Sequence, residues 1–305
     1  MKARSLPQIV TAVAITLALP ALTRTARAES KLEVQVITAS QSGFFVDATI
    51  VSGEKEAVLI DSAFTMADAH RVVGALLDSR KNLTTVYVTH SHPDHYFGLT
   101  VIKQAFPKAK LVALPATIAD IKKTWQGKVK QWGPMYGDNI PSHPVLPAPL
   151  KGTTLTVDGQ TLEIHGGVQG DAPNNSYVWI PSIKTAIVGD IVYTGVHPWT
   201  AETNAEARKA WLKTLDEVAA LGPTTVVAGH KEPARKDDAA GIDETRGYLK
   251  AFDEVLAASK SADEVETKMK AKYPKLALEV ILHFGAAAQF PAAAPAAPAG
   301  KPATK

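Results

Sequence analysis

The feature that most constrains this chain is a group of four side chains able to bind a metal within six positions: His90, His92, Asp94 and His95. The residues just before it, 84–88, are β-branched and aromatic, which is typical of a buried strand. The group therefore lies where a strand ends and a loop begins. Loops at the ends of strands are where active sites usually lie.

The spacing inside this group indicates two neighbouring ion sites. In an extended segment alternate residues point to the same side, so His90 and His92 can share one ion. Pro93 lacks a backbone N–H and favours a turn. After that turn, Asp94 and His95 can face a second ion beside the first. A solvated, histidine-rich loop without metal is the alternative interpretation.

The strand and helix patterns on the two sides of this group repeat one plan. In each half, a strand pair ends in an aspartate (Asp61, Asp190), a helical pattern follows, and a Thr-Thr-Val strand ends in a histidine (His90, His230). This predicts an α/β fold of two pseudo-repeated halves, a four-layer αββα sandwich with two sheets face to face and helices outside. Both sets of strand ends would then meet at one edge.

Residues 125–150 interrupt this regular plan with aromatic residues, including Trp132 and Tyr136, and five prolines. A segment this rich in proline cannot continue a helix throughout, so it predicts a long covering loop that acts as a substrate lid. His197, seven residues after Asp190, is a candidate substrate contact or proton donor, with simple packing as the alternative.

The first residues predict export. Residues 1–28 contain two early basic residues, an apolar run and an Ala-Arg-Ala site, the order of a cleavable signal peptide with cleavage after Ala28. The apolar run is shorter than the roughly 20 residues that a membrane-spanning helix needs. We therefore predict a periplasmic or secreted protein with no membrane anchor after cleavage.

Charge and composition bound the remaining organisation. Removing residues 1–28 removes four of the 33 basic residues and none of the 30 acidic ones, so the net charge falls from +3 to 29 − 30 = −1. Such a balance argues against a nucleic-acid partner. The chain contains no cysteine, so no disulfide can support it. We predict one domain over residues 29–285 and a disordered Ala/Pro-rich tail over 286–305.

The segment from His90 to His95 reproduces the HxHxDH signature, and the chain resembles the metallo-β-lactamase superfamily from about residue 32 to 284. The resemblance implies two divalent ions, with Zn²⁺ expected, and Asp94 and Asp190 as the catalytic carboxylates. It implies the following roles: His90 and His92 as ligands of the first ion, Asp94, His95 and His230 as ligands of the second, Asp190 as the bridge between them, and Asp61 as a hydrogen-bonding support.

The chain departs from that superfamily near Gln169, where the family usually has Gly-His and the histidine completes the first site. Gln169 then becomes the expected ligand. An amide oxygen is a poorer donor to zinc than imidazole, so the first site should be weaker or should suit a harder ion. His165, four residues earlier, is the alternative ligand.

These features favour hydrolysis of a small-molecule substrate, by a water that lies between two metals and is deprotonated near neutral pH. Zinc β-lactamases with a cysteine ligand are excluded because the chain has none. With its bridging aspartate, the site resembles those of the glyoxalase II, lactonase and arylesterase branches. We therefore rank an ester or a lactone first as the substrate, and a β-lactam or thioester second. The alternatives are a mononuclear iron-dependent enzyme resembling persulfide dioxygenases, a β-lactamase proper, and a non-catalytic metal-binding protein.

Overall fold

Two mixed sheets form the centre of the computed structural model, which describes residues 31–290. The first sheet has six strands in the order in which they occur in the chain: Glu33–Thr38 (β1), Asp47–Ser52 (β2), Glu56–Ile60 (β3), Asn82–Val88 (β4), Lys110–Ala113 (β5) and Ala148–Pro149 (β6). The remaining strands are Thr154–Val157 (β7), Gln160–Val168 (β8), Asn175–Ile180 (β9), Thr185–Ile187 (β10), Tyr193–Thr194 (β11), Thr225–Val227 (β12) and His230–Lys231 (β13). The second sheet has the spatial order β12-β10-β9-β8-β7, and β11 and β13 form a separate short pair.

Eight α-helices accompany these sheets within the described residues. They are Met66–Ser79 (α1), Pro93–Tyr96 (α2), Leu99–Ala105 (α3), Pro115–Tyr136 (α4), Ala205–Ala220 (α5), Ala240–Ala257 (α6), Ala262–Lys272 (α7) and Glu279–Ala288 (α8). No helix in this part of the chain is both long and apolar enough to cross a membrane.

The two sheets pack face to face and carry helices on their outer faces. Val58 of β3 and Val178 of β9 belong to one buried apolar cluster that lies between the sheets. Leu59, the next residue along β3, points the other way into a second cluster with α1, α3 and α4. On the far side, Trp211 of α5 and Leu249 of α6 pack against the second sheet. The predicted αββα sandwich is therefore confirmed.

The repeat of one plan in the two halves is also present. In the first half β2 and β3 pair antiparallel, and β3 then pairs parallel with β4 across the α1 connection. In the second half β9 and β10 pair antiparallel, and β10 pairs parallel with β12. The carboxyl ends of β4 and β12 therefore occupy corresponding positions, with His90 and His230 just beyond them.

The prediction of a long loop over residues 125–150 is wrong for the first part of this segment. Helix α4 continues to Tyr136 and includes Pro134, and only residues 137–147 form the connection to β6. Proline removes one N–H and disturbs the turn before it, but Pro134 lies in the last turn, where the helix ends anyway. Trp132, which lies on a face of this helix, is 8% exposed.

The predicted end of the folded domain at residue 285 is also corrected. Helix α8 runs to Ala288, and Ala286 is buried in a cluster with Tyr248 and Phe252. Alanine is a strong helix former, so the alanine-rich composition that suggested disorder instead completes a helix where apolar neighbours are available. The predicted signal peptide and residues 291–305 lie outside the described residues.

Tyr87 and Ser176 join the two sheets beneath the ligand loop. The Tyr87 hydroxyl lies 2.7 Å from Ser176 Oγ, and the Ser176 hydroxyl donates to the Thr89 carbonyl oxygen at 2.6 Å. The three residues are buried. This chain of hydrogen bonds fixes the residue that precedes His90 relative to the second sheet.

We expect Ser176→Ala to lower the free energy of unfolding by about 1–3 kcal/mol, because Tyr87 and the Thr89 carbonyl would each lose a partner in a dry interior. Urea unfolding of the purified protein measures this change. Ser182→Ala, at an exposed position in a turn, is the matched control and should leave the unfolding midpoint unchanged. Equal effects of the two substitutions would contradict this account of the link between the sheets.

Candidate metal centre

The strand ends of both halves bring seven potential ligands to one buried edge. They form two groups, and within each group the ligand atoms lie within 4.8 Å of one another. The first group is His90, His92, Asp171 and Asp190, and the second is Asp94, His95, Asp190 and His230. Asp190 belongs to both groups. Each group therefore contains two imidazoles, one carboxylate of its own and one shared carboxylate.

Hydrogen bonds to the outer ring nitrogens aim the histidines of the second group. His95 Nδ1 lies 2.8 Å from Asp61 Oδ2, and His230 Nδ1 lies 2.6 Å from the Phe44 carbonyl oxygen. Their Nε2 atoms face Asp190, at 3.1 and 3.3 Å from its carboxylate oxygens. Asp61 also accepts hydrogen bonds from Thr89. This is the supporting role expected for Asp61 from the resemblance.

The electrostatics of the second group favour positive charge at its centre. Burial alone would lower the pKa of His95, but the carboxylates of Asp190 and Asp61 raise it well above its ordinary value. The pKa of His230 rises in the same way, against the effect of burial, because of Asp190 and Asp94. Burial would raise the pKa of Asp190, yet the surrounding histidines hold it well below its usual range. A bound cation would satisfy the same demand for charge.

Unpartnered atoms show that the residues fit a metal. His90 Nε2, His95 Nε2 and Asp190 Oδ1 are buried, and none completes a well-aligned hydrogen bond among residues 31–290, although His95 Nε2 lies 3.1 Å from Asp190 Oδ1. Buried polar atoms without partners are rare and call for an explanation. Imidazole nitrogens and carboxylate oxygens are common ligands of divalent metals. The cluster therefore fits a divalent metal site.

The first group corrects the assignment of Gln169. Asp171 occupies the expected position, with Oδ2 2.8 Å from His92 Nδ1 and Oδ1 3.8 Å from His90 Nε2. The Gln169 amide instead donates to the carbonyl oxygen of Gly170, at 3.0 Å. His165, the alternative ligand, stacks on Tyr177 and lies outside both ligand groups. A charged carboxylate, rather than a neutral amide, completes the first group.

A glycine before each late ligand is the sequence signal that could have identified Asp171. Asp171, Asp190 and His230 each follow a glycine. A Cβ on Gly229 would lie 2.0 Å from Asp190 Oδ1, and a Cβ on Gly170 would lie 2.9 Å from the Asp190 carbonyl oxygen. Because only glycine permits these approaches, the pair Gly170-Asp171 corresponds to the family's Gly-His better than Gln169 does.

A mostly apolar pocket opens onto the ligands. Its walls include Phe44, Phe64, Trp132, His197 and Trp199, beside ligand residues of both groups. Trp132 and His197, two of the residues proposed from sequence as substrate contacts, thus line this pocket. Tyr136 lies behind the wall, 4.8 Å from the Phe64 ring centroid, and donates to the Ser42 carbonyl oxygen.

The sequence matches the family described as Metallo-beta-lactamase superfamily over residues 42–230, more than half of the chain. The chain belongs to the metallo-beta-lactamase superfamily. No curated protein matches the sequence at a significant level.

Solved structures of this superfamily share the fold. A metallo-beta-lactamase family protein from Thermus thermophilus has a TM-score of 0.62 and 20% identity, over 85% of this chain and 91% of its own. The B3 metallo-beta-lactamase BLEG-1 has a TM-score of 0.55 and 16% identity, over 71% and 99%. A metallo-beta-lactamase from Pontibacter korlensis has a TM-score of 0.53 and 17% identity, over 73% and 96%. At these identities the likeness concerns the fold alone.

Tyr193 also contacts this ligand cluster, and sequence reasoning missed it. Its hydroxyl lies 2.6 Å from Asp190 Oδ2 and 3.2 Å from Asp171 Oδ2, and its ring stacks on His230. Burial, together with Asp171 and Asp190, raises the pKa of Tyr193 well above its ordinary value. The group therefore remains a protonated donor between the two carboxylates at neutral pH.

Glu202 supports His92 from outside the first group. The Nδ1 atom of His92 faces Asp171. Its Nε2 atom lies 3.2 Å from Glu202 Oε1, within ion-pair distance, but the two groups are not aligned for a full hydrogen bond. Lys128 of α4 holds the same Glu202 oxygen at 2.8 Å. A histidine that binds metal through Nδ1 must carry its proton on Nε2, and Glu202 is the acceptor that favours this tautomer.

We expect Asp171→Ala to lose one bound ion during dialysis against a mild chelator, because the first group would keep a single carboxylate, the shared one. Gln169→Ala should keep the wild-type metal content. Elemental analysis, with circular dichroism to verify folding, distinguishes the two variants. Metal loss in Gln169→Ala together with full retention in Asp171→Ala would restore Gln169 as the ligand.

We expect Glu202→Gln to lower the metal affinity of the first site about tenfold, because it removes the charged acceptor that supports His92. This is the lower end of the usual range for such a residue, since the Glu202 side chain is 40% exposed. Competition with a chromogenic chelator measures the affinity of each site. Glu206→Gln, an exposed residue in the first turn of α5, is the control. An unchanged affinity in Glu202→Gln would show that Glu202 does not support His92.

Proposed function

We propose that this protein is a hydrolase that uses two divalent ions, with Zn²⁺ expected, to cleave a carboxylic ester or a lactone. The observation that carries this proposal is the shared position of Asp190 between two ligand groups of the same composition. Two divalent ions would bring four positive charges, and Asp94, Asp171 and Asp190 bring three negative ones. One net positive charge would remain at the centre to attract and stabilise an anion.

When bound, such ions lower the pKa of water and polarise a carbonyl group. The residues of the chain prepare the site for that chemistry. Asp190 lies between the groups, and the Tyr193 hydroxyl, which donates to it at 2.6 Å, fixes its orientation. The neighbouring histidines, opposing the effect of burial, keep the pKa of Asp94 below its usual value. Asp94 lines the pocket, so its carboxylate stays ionised as a metal ligand on the side that faces the substrate.

The pocket favours a neutral acyl substrate. Its walls are largely aromatic and aliphatic, and Lys128 is the one lysine or arginine among the lining residues within the described chain. Lys128 is already paired with Glu202, so away from the metal centre the pocket walls have no free positive charge to hold an anionic substituent. β-Lactam antibiotics and phosphate esters carry such a charge, whereas simple esters and lactones do not. We therefore rank esters and lactones first.

The donor set of the first group supports a second candidate. His90, His92 and Asp171 supply two imidazoles and one carboxylate, a combination that also suits Fe²⁺ in non-haem oxygenases. An iron-dependent oxygenase resembling persulfide dioxygenases is therefore the alternative function. The metal recovered with the protein and the consumption of oxygen distinguish it from the hydrolase.

We also propose that the enzyme acts after export, in the periplasm or outside the cell. The support is the order of basic residues, apolar run and Ala-Arg-Ala site in residues 1–28. A protein in that location would meet small esters and lactones from the surroundings.

The test is a panel of chromogenic esters, lactones, thioesters and β-lactams with the zinc-loaded protein. We expect ester or lactone turnover that a strong chelator abolishes and added zinc restores. His95→Ala should lose at least 100-fold in kcat/KM, because it removes a ligand beside the shared carboxylate. His70→Ala, an exposed histidine on α1, is the matched control. Turnover of none of these substrates, together with oxygen consumption by iron-loaded protein, would contradict the hydrolase.

A further inference from the structure

One wall of the pocket contains two buried nitrogen atoms that no group in the protein satisfies. His197 Nε2 and Trp199 Nε1 are buried, and neither has a hydrogen-bond partner within residues 31–290. Both residues line the pocket that opens onto the metal ligands. His197 is only 1% exposed. A buried N–H without an acceptor is unfavourable, so two of them on one pocket wall point to a ligand.

The hydroxyl of Tyr248 decides which nitrogen of His197 carries the proton. It lies 2.9 Å from His197 Nδ1, and no other acceptor for it is found in the described part of the chain. Burial raises the pKa of Tyr248, so the hydroxyl stays protonated and donates to Nδ1. Burial also lowers the pKa of His197 to about 4, so its ring is neutral. The single ring proton is therefore on Nε2.

Trp199 supplies the second donor. Its indole nitrogen has no alternative tautomer and can only donate a hydrogen bond. Its ring is held between His92 and Phe284, with centroid distances of 6.2 and 6.1 Å. The backbone around His197 is also fixed, since its N–H donates to the Ala277 carbonyl oxygen at 3.0 Å. The two donors are thus set in place before a ligand binds.

We propose that the N–H groups of His197 and Trp199 form a polar subsite for a neutral oxygen acceptor of the substrate, such as an amide or ketone carbonyl close to the scissile bond. This proposal deepens the hydrolase function and rests on it for the identity of the substrate. Tyr248 is a positioning residue, because it acts through His197. The preferred substrate is then an acyl compound with a second carbonyl and an otherwise apolar body.

Two acids of equal chain length test the subsite without turnover. N-acetylglycinate has an amide where pentanoate has only methylene groups, and both carry the same carboxylate. In ¹⁵N-labelled, zinc-loaded protein we expect the His197 proton on Nε2. N-acetylglycinate should shift the His197 and Trp199 N–H signals, and pentanoate should leave them in place. A proton on Nδ1, or equal responses to the two acids, would overturn the proposal.

The 4-nitrophenyl esters of the same acids provide the kinetic test after the uncatalysed rate is subtracted. The ratio of kcat/KM for the amide ester to that for the pentanoate ester should fall about tenfold in His197→Ala and Tyr248→Phe, as expected for the loss of a buried hydrogen bond. Tyr273→Phe removes a neighbouring hydroxyl from the same aromatic cluster and should keep the wild-type ratio. An unchanged ratio in both variants would overturn the subsite.

The two arms separate this inference from the hydrolase function. If neither ester is hydrolysed but N-acetylglycinate selectively shifts the two N–H signals, the subsite stands and the assignment of ester hydrolysis fails. If both esters are hydrolysed at rates that do not depend on His197, the hydrolase stands and the subsite fails.

Discussion

The buried carboxylate of Asp190 is the interaction on which the rest of the site depends. It lies within reach of His90, His95 and His230, and so joins ligands from both halves of the chain. A lone buried carboxylate is unfavourable unless positive charge surrounds it. The histidines supply that charge in part, and a pair of divalent ions would supply it fully. The fold can place this charge in its interior because the cation and the carboxylate stabilise each other.

That arrangement also explains why the two halves meet so closely. Gly229 and Gly189 carry no side chain at the point where the loops cross, and Gly189 has a φ of +49°. The Tyr87–Ser176 hydrogen bond joins the sheets just beneath. Loops after buried strands thus approach one another across the sheet interface, and each half alone would hold an incomplete ligand set. Assembly of the site and packing of the two sheets are therefore one event.

Much of this could be predicted from sequence because the signals are local. The HxHxDH spacing, the repeated strand ends and the apolar periods identified the fold and most of the ligand set. Asp171 and Glu202 were missed because their roles depend on loops that meet only after folding. The end of α4 was misjudged because Pro134 suggests a barrier, although proline is tolerated near the last turn. Ala286 was assigned to a tail because composition does not show which apolar surface is available to cover it.

Helix α4 contacts the site at two points, the pocket wall and Glu202, and a movement of the helix changes both contacts together. Trp132 forms part of the pocket wall, and Lys128, one helical turn earlier on the same rigid element, holds the carboxylate that supports His92. A change that shifts α4 to admit a larger substrate would also move the lysine away from Glu202. For the proposed hydrolase, a change of substrate range along this helix would therefore be constrained by metal retention. Variants with a widened pocket would be viable mainly where the surroundings contain enough free metal to fill a weakened site.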